Sequence, residues 1–244
     1  MVGMGEARYD GHADWYDETF GDYGAEAGSG GVLARLLGPA DPGDPVCVDV
    51  GCGTGLHFAA VRACGYTVVG VDFSADQLRR ATTRGRYVLR GDARRLPLAT
   101  ASAATVLMTF THTDIDDFPA AVAEAARVLR PGGRLVYLGV HPAFVGAFVD
   151  RGGEREGGEL RVTRGYGDER LQRDDSGRFP VRSRVGARNL TLATFLGAFL
   201  APPALRLSSV EELDTRLRPW RPDASDGRVV PWNLAVTAVR SRAG

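Results

Sequence analysis

Three aspartates, Asp49, Asp72 and Asp92, close three successive apolar runs, and the first run leads at once into Gly51-Cys52-Gly53-Thr54-Gly55. Glycine admits positive φ and removes the Cβ that would hold a ligand off the backbone. A turn of this kind running into a helix presents unpaired N–H groups. The spacing is G-x-G-x-G, whereas the dinucleotide fingerprint sets its third glycine one residue later, so a nicotinamide dinucleotide is disfavoured. Asp49 would repel a pyrophosphate but suits an ammonium, so the expected ligand carries a cation. Asp72 lies about twenty residues beyond the turn, where a carboxylate accepts from both hydroxyls of a ribose. Phe73 beside it suits a purine face, and Asp92, in Gly91-Asp92-Ala93, is placed to accept from an exocyclic amine.

Four histidines, at 12, 57, 112 and 141, are the candidate bases near neutral pH. His112 follows the fourth run and His141 the fifth, so both are expected at the edge that carries the three aspartates. His57 falls in the first helix and is expected to be packed. Asp114, Asp116 and Asp117 read as helix-entry acids that complement the helix dipole rather than as a metal cluster. Cys47, Cys52 and Cys64 have neither metal nor disulfide-framework spacing, and MVGMGEARYD lacks the apolar core of a signal peptide, so a cytoplasmic location is expected.

Parallel strands deliver their C-terminal ends to one edge of a sheet, and that is how the three acids come together. The strands are expected at Val46 to Val50, Thr67 to Val71, Tyr87 to Leu89, Thr105 to Thr109 and Arg134 to Val140, with helix-compatible stretches between them. Several are continuously apolar, as burial on both faces demands. The expected fold is α/β, a Rossmann-like doubly wound and mainly parallel sheet in one domain over 1–244. Residues 1–30 are expected to cap the site. Residues 142–188, from Pro142 to Arg188, interrupt the rhythm with Gly, Arg and acids and are expected to form an inserted lid, in which Arg161-Val-Thr-Arg and Val181-Arg-Ser-Arg-Val pair as a ribbon. Leu190 to Ala201 reads as a helix, and the run from Trp232 as a late strand that completes the sheet.

Thirty basic residues balance thirty acidic ones, so the field that draws a protein to nucleic acid or anionic lipid is missing and a small-molecule substrate is expected. The apolar stretch Phe195 to Leu205 is broken by Pro202-Pro203 and falls short of the roughly 20 residues that cross a bilayer, so no membrane segment is expected.

Taken together, VDVGCGTG, VVGVDFS, GDARRLPL and VLRPGGRLVYL resemble the successive motifs of class I S-adenosylmethionine-dependent methyltransferases, and among these the type-11 methyltransferase domain that includes ubiquinone and menaquinone biosynthesis enzymes. The resemblance covers residues 46 to 141. It implies that Gly51, Cys52 and Gly53 contact the methionine portion by backbone, with Asp49 supporting that loop and its charge. It further implies that Asp72 holds the ribose, Phe73 flanks the adenine, Asp92 and Ala93 read its amino edge, and Thr109-Phe110-Thr111 lies beneath the sulfonium. Trp15-Tyr16-Asp17 resembles the aromatic-plus-acid piece that folds over the cofactor, with Tyr16 as its contact. Phe110-Thr-His-Thr-Asp-Ile stands where amine-methylating relatives carry an Asn/Asp-Pro-Pro-aromatic signature, and it also differs from the menaquinone enzymes, so their quinone substrate does not carry over. The expected activity is O- or C-methylation of a small molecule, with His112 or His141 as base where one is needed. A cyclase or isomerase on the same scaffold, or a non-catalytic ligand-binding regulator, is the alternative.

Overall fold

The computed structural model describes residues 6–24, 29–146, 148–150, 160–162, 165–173, 180–221 and 230–242. Its centre is a seven-stranded sheet of β1 (Val46–Val50), β2 (Thr67–Asp72), β3 (Tyr87–Arg90), β4 (Ala103–Thr109), β5 (Leu129–Val140), β8 (Leu205–Leu213) and β9 (Asn233–Arg240), in the order β3-β2-β1-β4-β5-β9-β8. Pairings among β1 to β5 are parallel, and those of β9 with β5 and β8 are antiparallel. A short ribbon of β6 (Val149–Asp150) and β7 (Arg161–Val162) stands apart. Strand order reverses between β1 and β4, and the crevice at such a switch point is where ligands bind in doubly wound sheets.

Side-chain alternation assigns each strand two faces. Val48, Val50, Val106, Met108, Leu135 and Tyr137 face a cluster with Phe118, Phe195 and Phe199. These three rings belong to α5 (Phe118–Val128) and α7 (Leu192–Leu200). Cys47, Val68, Leu107, Val136 and Leu138 face the other way, against α2 (Gly31–Leu37), α3 (Phe58–Ala63) and Leu78 and Ala81 of α4 (Ala75–Arg84). By the same alternation Asp49 and Thr109 belong to this second face.

Local sequence explains where the helices begin. Ser74 caps α4 by accepting from the Gln77 N–H, and Asp117 caps α5 by accepting from the Ala120 N–H, with Pro119 in the first turn. The stripe Ala121, Val122, Ala125, Val128 and Leu129 is wholly buried. Thr191 caps α7, which ends before Pro202-Pro203.

Two expectations change and one strand is added. The run Val181 to Val185 does not pair with Arg161-Val162; it forms the helix α6 (Pro180–Val185), buried through Arg182 and Val185, and β7 pairs with β6 instead. Pro180 opens that helix with its φ already suited. Chain extension in β5 begins at Leu129, before the Pro-Gly-Gly that was expected to precede the strand. The late strand joins the sheet as β9, as expected, but β8, a strand the sequence reading did not include, pairs beyond it. The centre of the expected lid, Arg151 to Glu159, falls outside the described residues.

Candidate active site

At the end of β1 the chain turns through Gly51, Gly53 and Gly55, all at positive φ. Gly51 has two reasons to be glycine. Its φ is +72°, and a Cβ there would come within 2.6 Å of Cγ2 of Thr111, in the loop after β4. The turn is tied to β2 by Gly51 and Cys52 N–H groups, which both donate to the Val71 carbonyl. Asp72 completes the tie: Oδ2 accepts from the Gly53 N–H and Oδ1 from the Ser74 N–H, each at 2.8 Å. Burial nevertheless raises the Asp72 carboxyl, the backbone donors opposing it.

Asp49 is wholly buried, and neither of its carboxyl oxygens has a hydrogen-bond partner. Burial, aided by the like charge of Asp72, pushes its pKa up to about 7. Thr54 Oγ1, Gln77 Nε2 and Thr111 Oγ1 are also buried without partners. Gln77 borders the turn, its Oε1 standing 3.6 Å from where a Gly53 Cβ would be. Buried polar groups in proteins are nearly always paired, so the unpaired groups gathered around this one glycine turn stand out.

His57 follows the turn and is buried as expected, but it also joins elements. Its Nδ1 lies 3.1 Å from Thr109 Oγ1 and its Nε2 lies 2.8 Å from Ser29 Oγ. Burial lowers its pKa to about 4, so the ring is neutral and one nitrogen donates while the other accepts. Phe110, next along, takes a positive φ of 54° and donates its N–H to the Leu138 carbonyl.

The N-terminal helix α1 (Ala13–Phe20) is held against α4 by charge. Asp14 pairs with Arg79 and Arg80, and Asp17 with Arg84. Arg84 also donates to the Thr54 carbonyl, so one guanidinium joins α1 to the glycine turn. Asp10 accepts from the Ser74 hydroxyl at 2.5 Å. Tyr16 is half-buried and meets Tyr9, Trp15 and Phe20 by their rings. Phe73 is half-buried at the end of β2, and Ala93 packs on the core. Asp92 is held below the usual carboxylate range by Arg94, which bonds both of its oxygens.

The two candidate bases have different surroundings. His112 is buried among the rings of Phe118, Tyr137 and Phe195, with Nδ1 2.5 Å from the Tyr137 hydroxyl. Burial first, then the charge of Arg182, lowers its pKa to about 3. His141 accepts from the Ala143 N–H at Nδ1 and faces Glu212 through Nε2 at 3.3 Å, which assigns its proton to Nε2. Tyr137 belongs to the face packed by α5 and α7, opposite the face of Asp49 and Thr109.

Sequence reasoning missed Gln77, Arg84 and the part played by Asp114. Arg8 donates to the Asp114, Val185 and Gly186 carbonyls, stapling the N-terminus, the loop after β4 and the end of α6 together. The Asp114 carboxyl is pushed up to about 6 by burial, partly offset by Arg8. Asp116 pairs with Arg188 and Asp117 caps α5, so these three acids have separate structural duties.

A glycine turn thus stands at the switch point, with one acid beneath it and a second clamping it. Residues 48–137 match the family model described as a methyltransferase domain. The demethylmenaquinone methyltransferase of Mycobacterium sp. (strain JLS) is 40% identical over 95 residues, which is 39% of this chain and 41% of that protein. The matched region thus spans about two-fifths of the length of the curated relatives. Among solved structures, an S-adenosylmethionine-dependent methyltransferase from Mesorhizobium loti superposes with a TM-score of 0.65 at 22% identity, covering 86% of this chain and 96% of its own. Geranyl diphosphate C-methyltransferase from Streptomyces coelicolor A3(2) gives 0.59 at 19% identity, covering 86% and 78%. Both likenesses establish the fold. No helix among the described residues is long and apolar enough to cross a membrane.

Proposed function

We propose that the protein transfers the methyl group of S-adenosylmethionine to an oxygen or carbon of a small molecule. The observation that carries this reading is the buried, unpartnered carboxyl group of Asp49 beneath the glycine turn, which a cationic amino-acid moiety would satisfy. Gly51, Cys52 and Gly53 would hold that moiety by backbone. Asp72, already fixed by two N–H donors, has lone pairs left for ribose hydroxyls. Phe73 would flank the adenine, with Asp92 and Ala93 at its amino edge, and Tyr16 of α1 would close over the top.

The bound cofactor supplies an electrophilic methyl group on a sulfonium. Thr109, held by His57, would set the floor beneath it, and in-line displacement gains several kcal/mol from such alignment. His112 has too low a proton affinity to serve efficiently as a base near neutral pH, and its ring is packed among Phe118, Tyr137 and Phe195, so in this reading it is a core residue and not the base. His141, locked by Ala143 and Glu212, shapes the start of the 142–188 segment, whose lid role belongs to the same proposal.

Native mass spectrometry of the purified protein tests the cofactor, since co-purified S-adenosylhomocysteine would identify it. Incubation with methyl-labelled cofactor and small phenols, alcohols and carbon acids tests the transfer. Label in the acceptor supports the reading; calorimetric binding of NADH without binding of S-adenosylmethionine or its product overturns it.

A further inference from the structure

Among the described residues no cation acts on Asp49, and the charge of Arg134 reaches Cys47 but not Asp49. β1 itself contributes Cys47 on the same face, and the glycine turn contributes Cys52; burial holds both thiols protonated. β2 contributes Asp72, a like charge. From β4, paired along the other side of β1, come Leu107 and Thr109, which do not ionise. His57, at the entrance to α3, is neutral, and Gln77 of α4 carries no charge. A carboxylate in this setting has neither a hydrogen bond nor an opposite charge to stabilise its ionised form.

We infer that Asp49 carries a proton in the empty protein and releases it when a ligand's ammonium settles on the glycine turn, so that cofactor binding is coupled to proton release at this one side chain. The inference rests on the function proposed above. In the step, the carboxyl O–H bond breaks, its electron pair stays on the Asp49 oxygen, and the proton passes to the buffer. The ammonium then faces a carboxylate where there had been an acid. The ligand therefore binds more tightly as pH rises until the empty protein's Asp49 is itself ionised, after which its affinity levels off. The cation, rather than the nucleoside, carries the coupling.

Isothermal titration calorimetry of the intact protein at about pH 6.5, in two buffers of different ionisation enthalpy, reads the proton directly. S-adenosylhomocysteine supplies the ammonium, and 5′-methylthioadenosine supplies the same nucleoside thioether without it. The expected result is release of about 0.5 to 1 proton with S-adenosylhomocysteine and none with 5′-methylthioadenosine. The S-adenosylhomocysteine affinity should rise up to about tenfold per pH unit below neutrality and then level off. Asp49→Asn should abolish the release while S-adenosylhomocysteine still binds. Binding without proton exchange, equal release with both ligands, or undiminished release in Asp49→Asn overturns the inference and leaves the methyltransferase reading standing. Failure of both ligands and of S-adenosylmethionine to bind overturns that reading, and the inference with it. The comparison of two ligands uses the native chain alone, so it does not depend on the variant folding.

Discussion

The Gly53 N–H donates to Asp72 Oδ2 at 2.8 Å, so the acid at the end of β2 fixes the shape of the turn at the end of β1. In the proposed reading, ribose recognition and turn geometry share one carboxylate. Asp72→Ala is expected to weaken S-adenosylhomocysteine binding by about 1.5 to 3 kcal/mol, because charged acceptors are lost on both the ligand and the backbone side. Calorimetry on a variant with native circular dichroism checks this; an unchanged affinity would reduce Asp72 to a structural clamp.

Gly51→Ala should be costly even in the absence of ligand. Positive φ costs an L-residue about 1 to 2 kcal/mol, and the new methyl would collide with Thr111. Adding Thr111→Gly should relieve the collision but not the backbone strain, so the double variant should recover only part of the loss of denaturation midpoint.

Stability against pH carries a signature of Asp49. Its folded pKa, about 7, is above the ordinary 3.8, so its contribution is complete below about pH 4 and is lost as pH rises through 7. His57 and His112, depressed to about 4 and 3, act in the opposite sense: their contribution is present above about 6.5 and is lost as pH falls. Asp49→Asn removes only the first trend. The stability of the variant relative to the native chain, measured by urea denaturation, should therefore increase steadily between about pH 4 and 7; a constant difference would show that Asp49 is ionised throughout.

Tyr137→Phe leaves His112 Nδ1 buried without its partner and should cost about 1 to 3 kcal/mol. Converting His112 to Phe as well removes the unpaired group, and the double variant should regain much of that loss. Strict additivity of the two single changes in thermal denaturation would show that the pair does not interact.

Arg84→Ala should loosen α1 from the glycine turn. Because the Arg84–Asp17 pair is partly solvated, the expected effect is modest, about a 2- to 5-fold loss of S-adenosylhomocysteine affinity. Limited proteolysis should cleave between residues 6 and 20 faster in the variant; equal rates would separate the helix from the turn.

The sequence exposed β1, β2 and β4 clearly because buried parallel strands are almost wholly apolar, with Asp49 standing alone as an acid inside β1 and Asp72 at the end of β2. It concealed β8, whose Ser208, Ser209, Glu211 and Glu212 lack the branched residues that mark a strand. Val181 to Val185 misled because a five-residue run fits alternation as well as it fits a helical turn. Arg8 and Asp114 lie 106 positions apart, and only the fold reveals their contact. Asp114 consequently read as one of three helix-entry acids, although Asp117 alone caps α5.

Arg8 gathers three stretches of chain, and of these only the loop after β4 lies within residues 48–137, the segment that matches the methyltransferase-domain model. The N-terminus and α6 come from outside it. In the proposed reading the outer walls are thus tied together independently of the floor, and a graft intended to transplant acceptor preference would need to carry residues 6–20, 111–116 and 180–190 as a set.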